Sequence, residues 1–173
     1  GKRPDLRLLP YGFAATGTSR VMDYRVEDER SLFRLAGWNR TLSLRVPGKH
    51  SVLNAAAAVA LSLELSLEQS GGENPTGLQM DAIEEGLKHF SGSKRRSEII
   101  GEAGGIIFMD DYAHHPTAIR TTLEGIRRFF PGRRLVVDFM SHTYSRTAAL
   151  IDGFADSFGE ADLLILHDIY ASA

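Results

Sequence analysis

"IIFMDDYAHHPTAIRTTLEGIRRFFPGRRLVVDFM", residues 106–140, decides how the rest of the chain is read. The apolar run "IIFM" has the length of a buried strand. Asp110, Asp111, Tyr112, His114 and His115 follow it at once, and Pro116 closes the polar stretch. Proline is tolerated in the first helical turn because its missing N–H needs no intrahelical partner there. The spacing therefore predicts a helix over 116–129, ended by "PGRR". "LVVDFM" then reads as a strand, "SHTYS" as a loop, "RTAALIDGFADSFG" as a helix and "DLLILHDI" as a further strand. Upstream, "SEIIGEA" and the strand at 106–110 flank the turn "GG". Strand, helix, strand, helix, strand in this order predicts crossover units and a mainly parallel sheet covered by helices, an α/β fold.

The first half has a different rhythm. Residues 1–50 read as β-rich, with "SLFRLAGWNRTLSLRV" forming two strands around a Gly-Trp-Asn turn. In "TLSLRV", Leu42, Leu44 and Val46 face one way and Ser43 and Arg45 the other. "PGKH" breaks the strand, and Ser51 is placed to cap a helix over 52–66 whose four alanines suit close packing. After the loop "SGGENPTG", a second helix carries Leu78, Ile83, Leu87 and Phe90 on one face. "SGSKRRSE" interrupts the pattern, and a domain boundary is expected there: residues 1–93 form one domain and 94–173 the next.

Composition narrows the function classes. The chain has 173 residues, 43% hydrophobic, with a net charge of −2, so no basic surface points to nucleic acid. It has no cysteine, which excludes disulfides and thiolate metal sites and suits a reducing compartment. The longest apolar stretch, "SVLNAAAAVALSLELSL", carries Asn54 and Glu64 and reads as too short and mild for a membrane span. The chain opens without Met in mid-pattern and closes just past an apolar run, so a fragment is expected.

In open α/β sheets, ligands bind where the carboxyl ends of strands run into helices. Two polar clusters occupy such places. One is Asp110, Asp111, Tyr112, His114 and His115; the other is Ser141, His142, Thr143, Tyr144, Ser145 and Arg146. Successive parallel strands tend to be neighbours, so the clusters are expected to meet. Together they suit a ribose, a phosphate or an amino-acid carboxylate, and proton movement near neutral pH. No G-x-G-x-x-G follows a strand, "GFAATGTSR" lacks the lysine of a phosphate loop, and no G-x-S-x-G elbow is present. Adjacent histidines on an extended segment point in opposite directions, which disfavours one metal ion held by both. Taken singly, each residue also has a plain structural use. Asp111 suits a helix cap, Asp110 loop amides, one histidine a loop hydrogen bond, Arg95 and Arg96 a solvated hinge, and Tyr144 a core.

The segments "PGKHSVLNAAAAVALSLEL", "HFSGSKRRSEIIGE", "DDYAHHPT", "HTYSRT" and "ADLLILHDIYASA" resemble those of the Mur ligases, in the same order, over residues 37–173. Within the family the motifs are most similar to the members that attach L-alanine to UDP-N-acetylmuramate. The resemblance implies the end of a central ATPase domain followed by a truncated Rossmann-like ligase domain. It implies an ATP-dependent amide-forming ligase in cytoplasmic peptidoglycan synthesis that activates the lactyl carboxylate as an acyl phosphate. ATP and Mg2+ are the implied cofactors, with the metal ligands and phosphate loop upstream of this chain. The implied partners are the small molecules UDP-N-acetylmuramate, L-alanine and ATP, with no nucleic acid and no membrane. A module that binds nucleotide without catalysis is the alternative.

The same resemblance assigns roles by position. His50 and Asn54, one helical turn apart, match residues at the adenine, and Asp111 the acid that takes the ribose hydroxyls. Arg96 matches the arginine at the terminal phosphates. Tyr112, His114, His142 and Arg146 match residues around the amino acid and the acyl phosphate, with His114 the expected general base. His114, Arg96 and Arg146 form the implied catalytic set, with no metal ligand in this chain. Ser51, Ser97 and Thr143 depart from the common pattern. Thr143 replaces a cation, which leaves Arg146 more of the alanine carboxylate.

Overall fold

A computed structural model describes residues 8–72 and 76–170. The chain divides into two compact units, Gly1–Arg45 with His50–Phe90 and Val46–Lys49 with Ser91–Ala173.

In the first unit, β1 (Val21–Glu27), β2 (Arg30–Leu35) and β3 (Trp38–Leu44) form an antiparallel sheet in that order. Asp28 and Glu29 both take positive φ, the geometry of a two-residue hairpin turn. The second turn is Ala36–Gly37, because Trp38 belongs to β3 and is buried, which corrects the expected Gly-Trp-Asn turn. Alternation then places Phe33 and Leu35 of β2 and Leu42 and Leu44 of β3 in one core.

Helix α1 (Lys49–Gln69) covers that core with Val52, Ala55, Ala56 and Val59. It begins earlier than expected, so Ser51 lies inside it and does not cap it. Its 21 residues are long and apolar enough to span a membrane by length and composition, which corrects the reading of this stretch as too short. Its buried alanine-rich stripe is nonetheless that of a core helix.

Helix α2 (Gly77–His89) starts with a capping box between Thr76 and Gln79 and packs Met80, Ile83 and Leu87 on the same core. Phe90 ends it and is exposed rather than on that face. The Leu78 side chain lies outside the described residues.

In the second unit, β4 (Glu98–Ala103) and β5 (Ile106–Asp110) form an antiparallel hairpin across Gly104–Gly105. Both glycines have positive φ, as this tight turn requires. Helix α3 runs over Pro116–Phe129, as the sequence predicts. β6 (Val136–Phe139) and β7 (Leu163–Leu166) pair in parallel, from Val136 opposite Leu163 to Phe139 opposite Leu166. The connection between them is not one helix. It breaks at Leu150 into α4 (Tyr144–Ala149) and α5 (Ile151–Ala155), then a 3-10 turn at Asp156–Phe158.

The α/β class holds, with β6–β7 as the parallel pair. β5 pairs with β4, and a cavity of about 380 Å³ lined by Ile106, Ile107, Met109, Ile126, Phe130 and Val136 lies beside it. One face of these strands is covered by helices. Ile119 and Leu123 of α3 and Phe154 of α5 bury Val137 and Phe139, while Val136, Leu163 and Ile165 on the opposite face are exposed.

Three hydrogen bonds set the frame. The N-terminal ends of β5 and β6 lie together, since Arg133 Nη1 donates to Gly105 O at 3.0 Å. Leu135 N–H donates to Asp162 Oδ2 at 2.6 Å and Arg127 Nη2 to the same oxygen at 2.7 Å, tying the start of β6 to the start of β7.

Candidate functional site

The two polar loops leave the same end of this frame. α3 carries the chain from the carboxyl end of β5 back to the amino end of β6, where Arg133 meets Gly105. Ala113 of the first loop packs on the cluster that also holds Phe139, two residues before Ser141, and Leu150, just after α4. Across the same end, a β-carbon on Gly153 of α5 would stand 3.1 Å from Pro116 Cγ. One core thus roots both loops. Among the described residues no hydrogen bond or ion pair joins 110–115 directly to 141–146.

Within the first loop the residues have distinct tasks. Asp111 Oδ2 accepts from Ser97 N–H at 2.7 Å and from Ser97 Oγ at 3.1 Å, while Oδ1 accepts from Ala113 N–H at 2.8 Å. A carboxylate offers about four acceptor positions, so roughly one remains for a ligand hydroxyl. That capacity fits the ribose contact expected of Asp111, and it adds a structural task that sequence reasoning did not foresee. Ser97 is buried and has φ +46°, a conformation that few serines adopt without such anchoring.

The histidines separate cleanly. His115 is the N-cap of α3, its Nδ1 accepting from Thr117 N–H at 3.3 Å, so the cap expected of Asp111 belongs to His115. His114 Nδ1 lies 3.0 Å from Tyr112 O. A carbonyl only accepts, so Nδ1 carries the proton and, in the neutral ring, Nε2 keeps a free lone pair. The Tyr112 and His114 rings meet edge to face at 5.3 Å.

Arg95 reaches into this loop from the preceding segment. Its Nε lies 3.3 Å from Asp110 Oδ2, and its guanidinium carbon 5.0 Å from the Tyr112 ring centroid. The solvated-hinge reading of Arg95 is therefore corrected. Arg96 beside it is exposed, and its side chain makes no hydrogen bond or ion pair among the described residues.

The second loop is clamped by Tyr170, which sequence reasoning missed. Thr143 N–H donates to Tyr170 O at 3.1 Å, and Tyr170 N–H to Ser141 O at 2.9 Å. The His142 ring lies 5.5 Å from the Tyr170 ring. Between the two bonds Thr143 takes φ +67°, an outlier for a β-branched residue of the kind that gathers at functional sites. The signal for Tyr170 was its place just beyond β7, the strand parallel to β6. Ser141 Oγ and Thr147 Oγ1 are 2.6 Å apart, and Thr147 Oγ1 donates to Thr143 O at 2.9 Å. Tyr144 is exposed, not core. Arg146 is half-buried in the first turn of α4 with no ion pair among the described residues.

His50 and Asn54 sit one turn apart near the start of α1, His50 half-buried and Asn54 exposed. They belong to the first unit and Arg96 and Asp111 to the second. Among the described residues no group of three or more His, Asp or Glu side chains is placed to hold a metal ion.

Residues 95–171 match the family described as "Mur ligase, glutamate ligase domain". Over 171 residues, 99% of this chain, the sequence is 53% identical to a UDP-N-acetylmuramate–L-alanine ligase of Treponema pallidum. It is 39% identical to the protein of that name in Borreliella burgdorferi, over 98% of the chain. The chain spans about a third of these relatives, 35% and 36% of their lengths. The fold is similar to that of UDP-N-acetylmuramate-alanine ligase MurC from Thermotoga maritima, with a TM-score of 0.68, 28% identity, and 87% of this chain aligned to 32% of that one.

Proposed function

This chain belongs to the Mur ligase family, and from that premise we propose that it is part of an ATP-dependent ligase joining L-alanine to the lactyl carboxylate of UDP-N-acetylmuramate. The relatives' names support this acceptor and this sugar nucleotide. The protein would act in the cytoplasm, in peptidoglycan synthesis, on small molecules. Residues 1–93 would close the central ATP-binding domain and 94–173 open the ligase domain.

The observation that carries the reading is the state of His114. Its Nδ1 is committed to Tyr112 O, and its loop leaves the same core as the Arg146 loop. A base and a cation on neighbouring loops suit an α-amino acid, whose ammonium must lose a proton and whose carboxylate needs a counter-charge. ATP, when bound, supplies the phosphoryl group that turns the unreactive carboxylate into an acyl phosphate. His114 Nε2 would accept the amine's proton, directly or through one water. Arg146 would hold the alanine carboxylate, and Tyr112 and His142 would wall the acceptor. Arg96 would neutralise phosphate oxygens. Asp111 would accept a ribose hydroxyl at its remaining position, and Asn54, with His50, would meet the adenine edge.

The test is an assay of the full-length protein with ATP, UDP-N-acetylmuramate and single amino acids. Phosphate release that depends on L-alanine, with formation of UDP-N-acetylmuramoyl-L-alanine, supports the proposal. Release dependent on a different amino acid refutes the assignment of the acceptor. The 173 residues alone hold no phosphate-loop sequence and should not hydrolyse ATP.

A further inference from the structure

Arg95 stands out because its guanidinium is engaged on two sides by the loop that carries His114. Its Nε lies 3.3 Å from Asp110 Oδ2 and its guanidinium carbon 5.0 Å from the Tyr112 ring centroid. The backbone repeats the connection, since Tyr112 N–H donates to Arg95 O at 2.9 Å. Arg95 N–H in turn donates to Glu98 Oε2 at 2.6 Å, which anchors the residue to the start of β4. These bonds accompany a φ of +58° at Arg95, an uncommon conformation for a residue with a side chain.

Tyr112 then passes the constraint on. Its ring meets the His114 ring edge to face at 5.3 Å, and its carbonyl takes the His114 Nδ1 proton at 3.0 Å. The guanidinium over the Tyr112 ring therefore stands one ring away from the imidazole.

We propose that Arg95 is a positioning residue: held by Asp110, it covers the Tyr112 ring and so fixes the direction in which His114 presents Nε2. This rests on the proposed ligase reading of the His114 loop and deepens it. The arrangement differs from that of its neighbour Arg96, whose side chain is free among the described residues and suits a phosphate. The two adjacent arginines would thus do different work, one facing the nucleotide and one setting the acceptor site. Both Arg95 and Asp110 side chains are about half exposed, at 55% and 41%. An exposed ion pair contributes little to stability, so the effect of Arg95 is on orientation rather than folding.

That distinction supplies the experiment, on the intact protein. Arg95→Ala, Arg95→Lys and Arg96→Ala are compared by NMR of labelled tyrosine and histidine, and by steady-state kinetics. Arg95→Ala should shift the Tyr112 ring and His114 imidazole signals and leave the denaturation midpoint in place. Displacement of a reacting group by about 1 Å can cost on the order of 100-fold. kcat should therefore fall by about tenfold or more, while the KM for ATP stays unchanged. Arg95→Lys keeps the charge beside Asp110 but not the planar cover, and should recover only part of the loss. Arg96→Ala should raise the KM for ATP and leave both ring signals unmoved. Unchanged Tyr112 and His114 signals in Arg95→Ala would overturn the proposal. So would a rise in the KM for ATP equal to that of Arg96→Ala. If the wild-type protein has no L-alanine-dependent activity, the ligase reading fails by itself, and the ring signals still decide whether Arg95 orients the pair.

Discussion

The Asp111 carboxylate accepts the backbone N–H of Ser97 at 2.7 Å, across 14 residues of sequence. This bond ties the segment before β4 to the loop after β5, on which the candidate base stands. Asp111→Ala removes three acceptor contacts and leaves the buried Ser97 amide without its partner. Hydrogen bonds to a charged group contribute about 1.5–3 kcal/mol, and a loss of that order is expected in urea denaturation. Asp111→Ala should therefore weaken nucleotide use and stability together. Asp111→Asn retains one carbonyl acceptor and should lose about half as much.

The two adjacent histidines are expected to behave differently. His115 caps α3 through Thr117 N–H. His115→Ala should cost about 0.5–2 kcal/mol, while His115→Asp, a better capping residue, should cost nothing or stabilise. Thermal melts of the two variants check this. His114→Ala removes no cap and should instead abolish turnover with little change in melting.

Arg146 is the cation proposed for the alanine carboxylate. In the full-length protein Arg146→Ala should raise the KM for L-alanine by about 10- to 150-fold, the equivalent of about 1.5–3 kcal/mol for a charge-assisted hydrogen bond. The KM for ATP should not follow. Initial rates over a range of alanine concentrations provide the check, and unchanged alanine kinetics would remove the assignment.

Gly125 lies inside α3 although glycine costs a helix stability. A β-carbon there would stand 2.7 Å from Gly48 Cα and 3.1 Å from Gly48 N. Both are backbone atoms that cannot swing aside. Gly125→Ala should destabilise by about 1–3 kcal/mol, the usual cost of overpacking, in spite of alanine's better helix propensity. Denaturation midpoints of wild type and variant decide it.

Asp162 supplies a pH dependence. The Leu135 N–H, and then Arg127, hold its carboxyl below the usual carboxylate range. A group with a depressed folded-state value contributes stability above the unfolded value of about 3.9 and loses it as pH falls through the folded one. Asp162→Asn should lower stability at neutral pH and flatten the acid limb below about pH 4. Stability measured from pH 7 down to pH 2 tests this, and an unchanged acid limb would contradict it.

Much of the fold was legible because local rules agreed with tertiary packing. Pro116 and the apolar spacing fixed α3 to the residue, and Gly104–Gly105 marked the β4–β5 turn. Elsewhere packing overrode the local signal. Trp38 looked like a turn residue beside Gly37, but the core claimed its ring. Ser51 looked like a cap, yet α1 extends back to Lys49. The helix expected over 146–159 breaks at Leu150, where no glycine or proline announces it, and Leu150 is partly buried on the shared cluster.

The site divides in the same way. The polar residue types after β5 and β6 were readable, because an apolar run followed at once by acids and imidazoles needs a purpose. Their partners were not. Asp111 with Ser97, Arg95 with Tyr112 and Tyr170 with Ser141 and Thr143 are contacts between distant segments, and no spacing rule predicts them. His115 as a cap could have been inferred from its place just before Pro116.

The proposed acceptor pocket is built from two loops. Its most direct test is a crystal structure of the full-length protein with a non-hydrolysable ATP analogue and L-alanine. The account predicts the alanine carboxylate within about 3 Å of the Arg146 guanidinium, and the amine facing His114 Nε2 directly or through one water. Alanine bound away from both loops, or the 111–114 and 142–146 side chains facing separate cavities, would contradict it.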